Sequence, residues 1–143
     1  MITASWQITI DRKPEDVFDF VADLHNEPKF NPDASNIVKS SEGEIGLGTV
    51  YTEEFKRIGA YRTTIDVYQP STALGFDARN PKCDARVRFT FEPHGDSTEV
   101  GCVVGLTFKG AQRLVGVLMG GMIKKQIERN RGPMLKAALE TGS

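Results

Sequence analysis

The 143-residue chain has little of what most protein chemistry requires: two cysteines, two histidines and one tryptophan. Cys83 and Cys102, nineteen positions apart, form neither a zinc cluster nor a disulfide framework. The chain has no Gly-x-Ser-x-Gly elbow, no His-Glu-x-x-His, no phosphate-cradling loop with lysine and no dinucleotide fingerprint. Neither a metal nor a cofactor is therefore expected. The longest apolar run, residues 114–123, is ten residues with three glycines, whereas a membrane span needs about 20. The first twenty-five residues carry Asp11, Arg12, Lys13, Glu15, Asp16, Asp19 and Asp23, too many charges for a secretory leader. A cytoplasmic location is expected. Charge of one sign is also missing, since 18 Lys and Arg face 19 acids for a net charge of −1. That balance argues against a nucleic-acid partner, though it leaves room for a local patch.

What is present is ordinary in amount and uneven in arrangement. A hydrophobic content of 39% with 26% charged residues fits one soluble globular domain over residues 1–143. Trp6, Ile8 and Ile10 alternate with Ser5, Gln7 and Thr9, the period of a strand with one buried face. Pro14, Glu15 and Asp16 then suit the first turn of a helix, and Val17, Phe18, Val21 and Leu24 fall at helical spacing, so residues 14–24 read as a short helix. Residues 26–32, broken by Pro28 and Pro32, allow a turn and at most one helical turn. Residues 34–40 form a strand candidate, followed by runs at 49–56, 61–68, 73–79, 84–92 and 99–108, each closed by Gly, Pro or Asn turns. Residues 111–141 are helical by pattern. Val115, Met119, Met122, Ile123 and Ile127 recur at three- and four-residue steps, and Met134 and Ala138 resume the stripe. Pro133 is expected to bend or interrupt this helix.

Seven strands at about 4.8 Å spacing make a sheet roughly 30 Å wide, and one helix is only about 10–12 Å across. The sheet must curl around the helix, which favours an internal hollow. The expected fold is α+β: a curved antiparallel seven-stranded sheet gripping a long C-terminal helix, with two short helices after the first strand.

This order of elements carries specific runs: Ile10, residues 14–23 (PEDVFDFVAD), residues 26–32 (NEPKFNP), Gly46-Leu47-Gly48-Thr49, Tyr68-Gln69-Pro70 and Phe91-Glu92-Pro93. With these motifs the chain resembles, over nearly its whole length, the polyketide cyclase/dehydrase and lipid-transport family of the START-like superfamily. The resemblance implies the helix-grip fold and a pocket for a hydrophobic molecule. Phe30 stands where that family often has tryptophan, which implies a wider pocket mouth. His25 falls where the family's short helices meet the pocket entrance, so it is a candidate ligand or acid/base group. His94, between Pro93 and Gly95, reads as a surface residue.

Glu53 depends on an ambiguous register. With Tyr51 and Phe55 pointing inward it becomes a pocket carboxylate with a raised pKa and a possible general base; otherwise it lies at a solvent edge. Gln126 and Asn130 continue the helix stripe where apolar residues belong, so they meet either water or a polar feature of the hollow. Met119, Met122 and Met134 are core or adaptable pocket wall. Gly116 and Gly120 let the helix approach the sheet or leave space for a ligand, in preference to the membrane-dimer motif that their spacing mimics.

The leading expectation is binding or transport of a hydrophobic or amphipathic small molecule: a lipid, a polyketide or a polycyclic aromatic. Phe30, Tyr51, Phe55, Ile65, Val67, Phe76, Val87, Phe89, Leu118, Met122, Gln126 and Asn130 are the expected lining. One alternative, implied by the resemblance, is a cyclase/dehydratase-type enzyme using Glu53, Tyr51 or His25 for proton transfer. Another is an accessory module with a vestigial cavity. Oligomeric state is not readable.

Overall fold

Alternation along β1 (Ile2–Ile10), with Ala4 and Ile10 buried and Thr3, Ser5 and Gln7 turned out or partly exposed, sets the first strand of the sheet. The computed structural model describes residues 1–141; the last two residues of the expected 1–143 domain lie outside them. After β1 come α1 (Pro14–Ala22) and a 3-10 helix (Leu24–Lys29) that contains Pro28. Six strands then follow: β2 (Ala34–Lys39), β3 (Val50–Phe55), β4 (Gly59–Gln69), β5 (Ala73–Arg79), β6 (Cys83–His94) and β7 (Ser97–Phe108). The chain closes with α2 (Gln112–Thr141). The sheet order is β1-β7-β6-β5-β4-β3-β2, with every neighbouring pair antiparallel. The fold is the expected α+β class, a seven-stranded antiparallel sheet with a long C-terminal helix and two short ones.

The concave face is closed at one end by α1, whose Val17, Phe18, Val21 and Ala22 are buried. Ring contacts run from Tyr68 through Phe18, Phe91 and Phe89 to Phe76 and Trp6, at centroid distances of 5.2–6.4 Å. Such aromatic pairs add to the burial of apolar area. This part of the interior is filled.

α2 packs chiefly along β1, with smaller contacts to β7 and the 3-10 helix. The face it sets down is built on glycines. A Cβ at Gly116 would lie 2.9 Å from the Phe108 ring, one at Gly120 2.9 Å from Ile2 Cδ1, and one at Gly132 3.1 Å from Trp6 Cε3. Side chains of α2 also satisfy the free edge of β1, which would otherwise expose unpaired backbone groups. Ser5 N and Asp11 N donate to Glu128 Oε2 and Glu140 Oε2 at 3.0 and 2.8 Å, and Lys136 Nζ donates to the Thr9 carbonyl at 2.9 Å.

Three expectations need correction. Of the bend or interruption expected at Pro133, the interruption does not occur, since α2 runs through it; burial of Ile127 and Gly132 before it and of Leu135 and Leu139 after it holds the helix despite the lost hydrogen bond. Its buried stripe is Gly120, Ile127, Gly132, Leu135 and Leu139, while Met119 and Met122 are exposed. Apolar periodicity misses this face because glycine carries no hydrophobic signal. Val67, finally, is not on the inner wall. The β4–β5 register shifts between Ile65 and Val67, and a Cβ on Gly75 would meet Val67 Cβ, Asp66 Oδ1 and Arg88 Nη1 within 2.9 Å. Leu74 and Phe76 are buried on the inner face, so Gly75 points outward and the bulge carries Val67 to the outer face with Arg88.

The glycine contacts separate two substitutions. Gly132→Val is expected to cost about 1–3 kcal/mol by overpacking against Trp6 and Ile8. Gly121→Ala, with nothing within 4 Å of its Cβ position, is expected to stabilise the helix by up to about 1 kcal/mol. Urea unfolding of the two variants measures both.

Candidate functional site

Opposite the filled end, residues that face inward on β6 and β7 are incompletely covered. Val87, Val104, Leu106 and Phe108 are only partly buried, although they alternate with the outward Arg86, Arg88, Val103 and Thr107. On α2, Leu114, Val115, Val117, Leu118, Met119 and Met122 are exposed. The concavity is therefore an open apolar trough at this end. Two grooves, of about 490 and 380 Å³, lie instead on the outer face, lined by Ser5, Gln7, Arg88, Thr90 and Val103 and by Thr3, Asp77, Arg79, Arg86 and Thr107 respectively, among others.

A polar cluster lies among the apolar groups. Glu53 on β3 is only 3% exposed. Strand alternation puts it on the same face as Tyr51, so the register is the one with the carboxylate inside. Thr63 Oγ1 of β4 donates to Glu53 Oε1 at 3.0 Å, whereas Oε2 has no donor. Its neighbour is the Glu27 carboxyl from the 3-10 helix, which itself accepts from Asn31 Nδ2 at 2.9 Å. Two carboxylates cannot stay in contact while both are charged. Desolvation first, then the Glu27 charge, raises the Glu53 pKa far above the carboxylate range, so Glu53 keeps its proton and offers it to Glu27. Arg131 of α2 reaches the same region, in the field of Glu27, Asp33 and Cys102. Burial lowers its pKa, and the two carboxylates oppose that shift. A protonated carboxyl against a second carboxylate, with a guanidinium in the field of the latter, can bind a polar group of a ligand or move a proton.

The other expected site residues fall into three groups. Phe30, Ile65, Phe76 and Phe89 are buried in the core, and Phe55 and Val87 are partly buried. Tyr51 is fully buried and its hydroxyl donates to the Ala22 carbonyl at 3.3 Å; desolvation and then Asp23 push its pKa up to about 12. It is a poor proton donor, tied to the α1 end. His25 stacks edge-on to Tyr51 at 5.9 Å and pairs through Nδ1 with Asp23 Oδ1 at 2.8 Å, half exposed and apart from the carboxyl pair in its bonding. Leu118, Met122, Gln126 and Asn130 are exposed, so any surface they offer is open to solvent and not a closed chamber. His94 is exposed.

Glu27, Asn31, Thr63 and Arg131 were not expected from the sequence. One signal was available for Arg131. It sits in the four-residue series Ile127, Arg131, Leu135, Leu139, whose other members are buried, and a cation in such a stripe marks an interior charge. Among the described residues, no group of three or more His, Cys, Asp or Glu is arranged to hold a metal ion. No helix of the described residues is long and apolar enough to cross a membrane.

This architecture defines a START-like, helix-grip protein. The family model described as polyketide cyclase/dehydrase and lipid transport matches residues 1–140, and the chain belongs to that family. Its fold is similar to a protein of Thermus thermophilus (TM-score 0.77, 14% identity, 99% of each chain). It is also similar to a START superfamily protein of Mycobacterium smegmatis (TM-score 0.71, 14% identity, 100% of each chain). A third similar structure is the di-domain ARO/CYC protein BexL of the BE-7585A biosynthetic pathway, with a TM-score of 0.74 and 16% identity over 98% of this chain and 47% of that one. At these identities the likeness establishes the fold alone. Among curated proteins, no sequence matches the chain.

The Glu53 assignment has a pH signature. Its folded pKa lies above the ordinary 4.5, so the neutral carboxyl supports the fold fully below that pH and the contribution is lost as pH rises. Glu53→Gln, which cannot ionise, is expected to match the parent near pH 4.5 and to exceed its stability increasingly above it, by up to about 1.4 kcal/mol per pH unit. Unfolding free energies measured across that range test this, and parallel curves would remove the proton from Glu53.

Proposed function

We propose that the chain binds and carries a hydrophobic or amphipathic small molecule, such as a lipid, polyketide or polycyclic aromatic, in the open trough between the first half of α2 and the inner faces of β6 and β7. One observation carries this reading: apolar side chains are left partly open to water at Val87, Val104 and Leu106 on the inner sheet face and at Met119 on the helix, which follows the sheet-facing Gly116 by three residues. Apolar surface left in contact on two facing elements marks a ligand groove more than a stability device. Covering it returns roughly 25 cal/mol per Å², and Glu27, Glu53 and Arg131 supply the few polar groups that orient such a ligand. Membership of the family supports the same class of ligand. A cytoplasmic carrier is the form we favour.

Native mass spectrometry of protein purified from its own host is expected to find a co-purifying apolar mass, and Leu106→Lys is expected to lose it while remaining folded. No bound species, together with no thermal shift across a panel of lipids and aromatic polyketides, would refute the carrier.

A specific observation also favours an enzyme of the cyclase/dehydratase type. The buried Glu53 carboxyl has Glu27 as its neighbour, and Arg131 lies in the field of Glu27, a set of groups suited to acid–base catalysis on a ketone or enol. The two readings part on Glu53→Gln. A catalyst is expected to lose turnover of a poly-β-ketone thioester by about 100-fold or more with ligand affinity kept, whereas a carrier shows no turnover to lose.

A further inference from the structure

Charge balance over the whole chain conceals a separation between its two ends. Four connections reach the end of the sheet where α2 begins: residues 30–33 ahead of β2, 56–58 between β3 and β4, 80–82 between β5 and β6, and 109–111 between β7 and α2. They carry Lys56, Arg57, Lys82 and Lys109 against a single acid, Asp33. Lys56, Arg57 and Lys82 are exposed, and Lys109 pairs with Asp84 at 2.8 Å. The carboxylates near this end are largely engaged, Asp77 with Arg79, Asp84 with Arg79 and Lys109, and Glu54 with Asn36; Asp33, beside Lys56, is exposed. The connections at the opposite end, 11–13, 40–49 and 95–96, hold Asp11, Glu42, Glu44 and Asp96 against Arg12 and Lys13.

The first turns of α2 rise from the basic end. Leu114, Val117, Leu118 and Met122 are 63, 80, 72 and 49% exposed, and Val115 and Met119 are 38 and 40% exposed. The cations Arg113, Lys124 and Lys125 bracket these side chains and are exposed themselves. Residues 112–127 contain no acid, and the first to follow, Glu128, is occupied by the backbone of Ser5. Among the described residues nothing covers this surface. A second copy placed face to face would bring its own Arg113, Lys124 and Lys125 against the first set, at a Coulomb cost. A bilayer with anionic headgroups satisfies both features together, taking apolar side chains below the phosphates and holding lysine and arginine at their level.

We propose that the basic end of the molecule is a docking surface for an anionic lipid bilayer, seated through Leu114, Val117, Leu118 and Met122 and fixed by Arg113, Lys124, Lys125 and the lysine-bearing turns. The surface stands whether or not the trough holds a ligand. If it does, docking brings the open end of the trough to the source or destination of an apolar cargo.

Co-sedimentation of the whole chain with phosphatidylcholine vesicles, with and without phosphatidylglycerol, tests the assignment. Binding is expected only to the anionic vesicles, and it should weaken as salt is raised. Leu118→Asp and the double variant Lys124→Glu/Lys125→Glu are each expected to reduce partitioning by about tenfold or more with an unchanged thermal midpoint, since all three side chains are exposed. Failure to bind anionic vesicles overturns the proposal, as does equal binding to both kinds. Sedimentation equilibrium showing a dimer that Leu118→Asp dissolves would assign the face to a second copy instead.

Discussion

The rest of the structure depends on the close approach of α2 to β1. Glycines at 116, 120 and 132 let the helix axis descend onto Phe108, Ile2 and Trp6, and Glu128, Lys136 and Glu140 occupy the backbone groups on the free edge of the strand. A helix seated through glycines presents its larger side chains elsewhere. That one choice leaves Leu114, Leu118 and Met122 in water and keeps the trough beside β6 and β7 open. It also carries Arg131 into the field of Glu27 and Asp33. A helix seated through its methionines would fill the same space and remove both the trough and the exposed apolar patch.

The interior is thus divided. Phe18, Phe91, Phe89 and Phe76 fill one end by ring packing, and at the other end the inward Val87, Val104 and Leu106 are only partly covered. Glu53 sits among buried groups, with Thr63 as its one donor among the described residues. A neutral glutamic acid in such a place costs stability at neutral pH, because the unfolded chain would ionise it. A neutral, apolar core residue would avoid that cost. Retention of the carboxyl fits a polar function, as local rules tend to be broken where function requires it.

Much of this fold is readable in the residues. Alternation at Val87, Phe89 and Phe91 and at Val100 and Cys102, with prolines and glycines at the turns, places the meander to within a few residues. The site is less legible, for three physical reasons. The bulge at Asp66 and Val67 breaks the period-two rule, so Val67 leaves the inner face with no warning in composition. The contact stripe of α2 is partly glycine, which apolar periodicity cannot register, and it led to Met119 and Met122 in place of Gly120 and Leu135. Glu27 and Glu53 are 26 positions apart and meet only because the 3-10 helix packs against β2, the neighbour of β3. The carboxylate at Glu53 was visible as an anomaly, its partner was not, and the charge separation between the two ends required the strand directions.

The central claim is that an apolar molecule occupies the open trough between α2 and the inner sheet face. Methyl NMR during titration with a long-chain fatty acid or an aromatic polyketide tests it most directly. The account predicts saturable shifts of the Val87, Val104, Leu106 and Met119 methyls, with the outward Val103 and Val67 unmoved. Shifts confined to Val103 and Val67, or no saturable shift at the inner methyls, would contradict it.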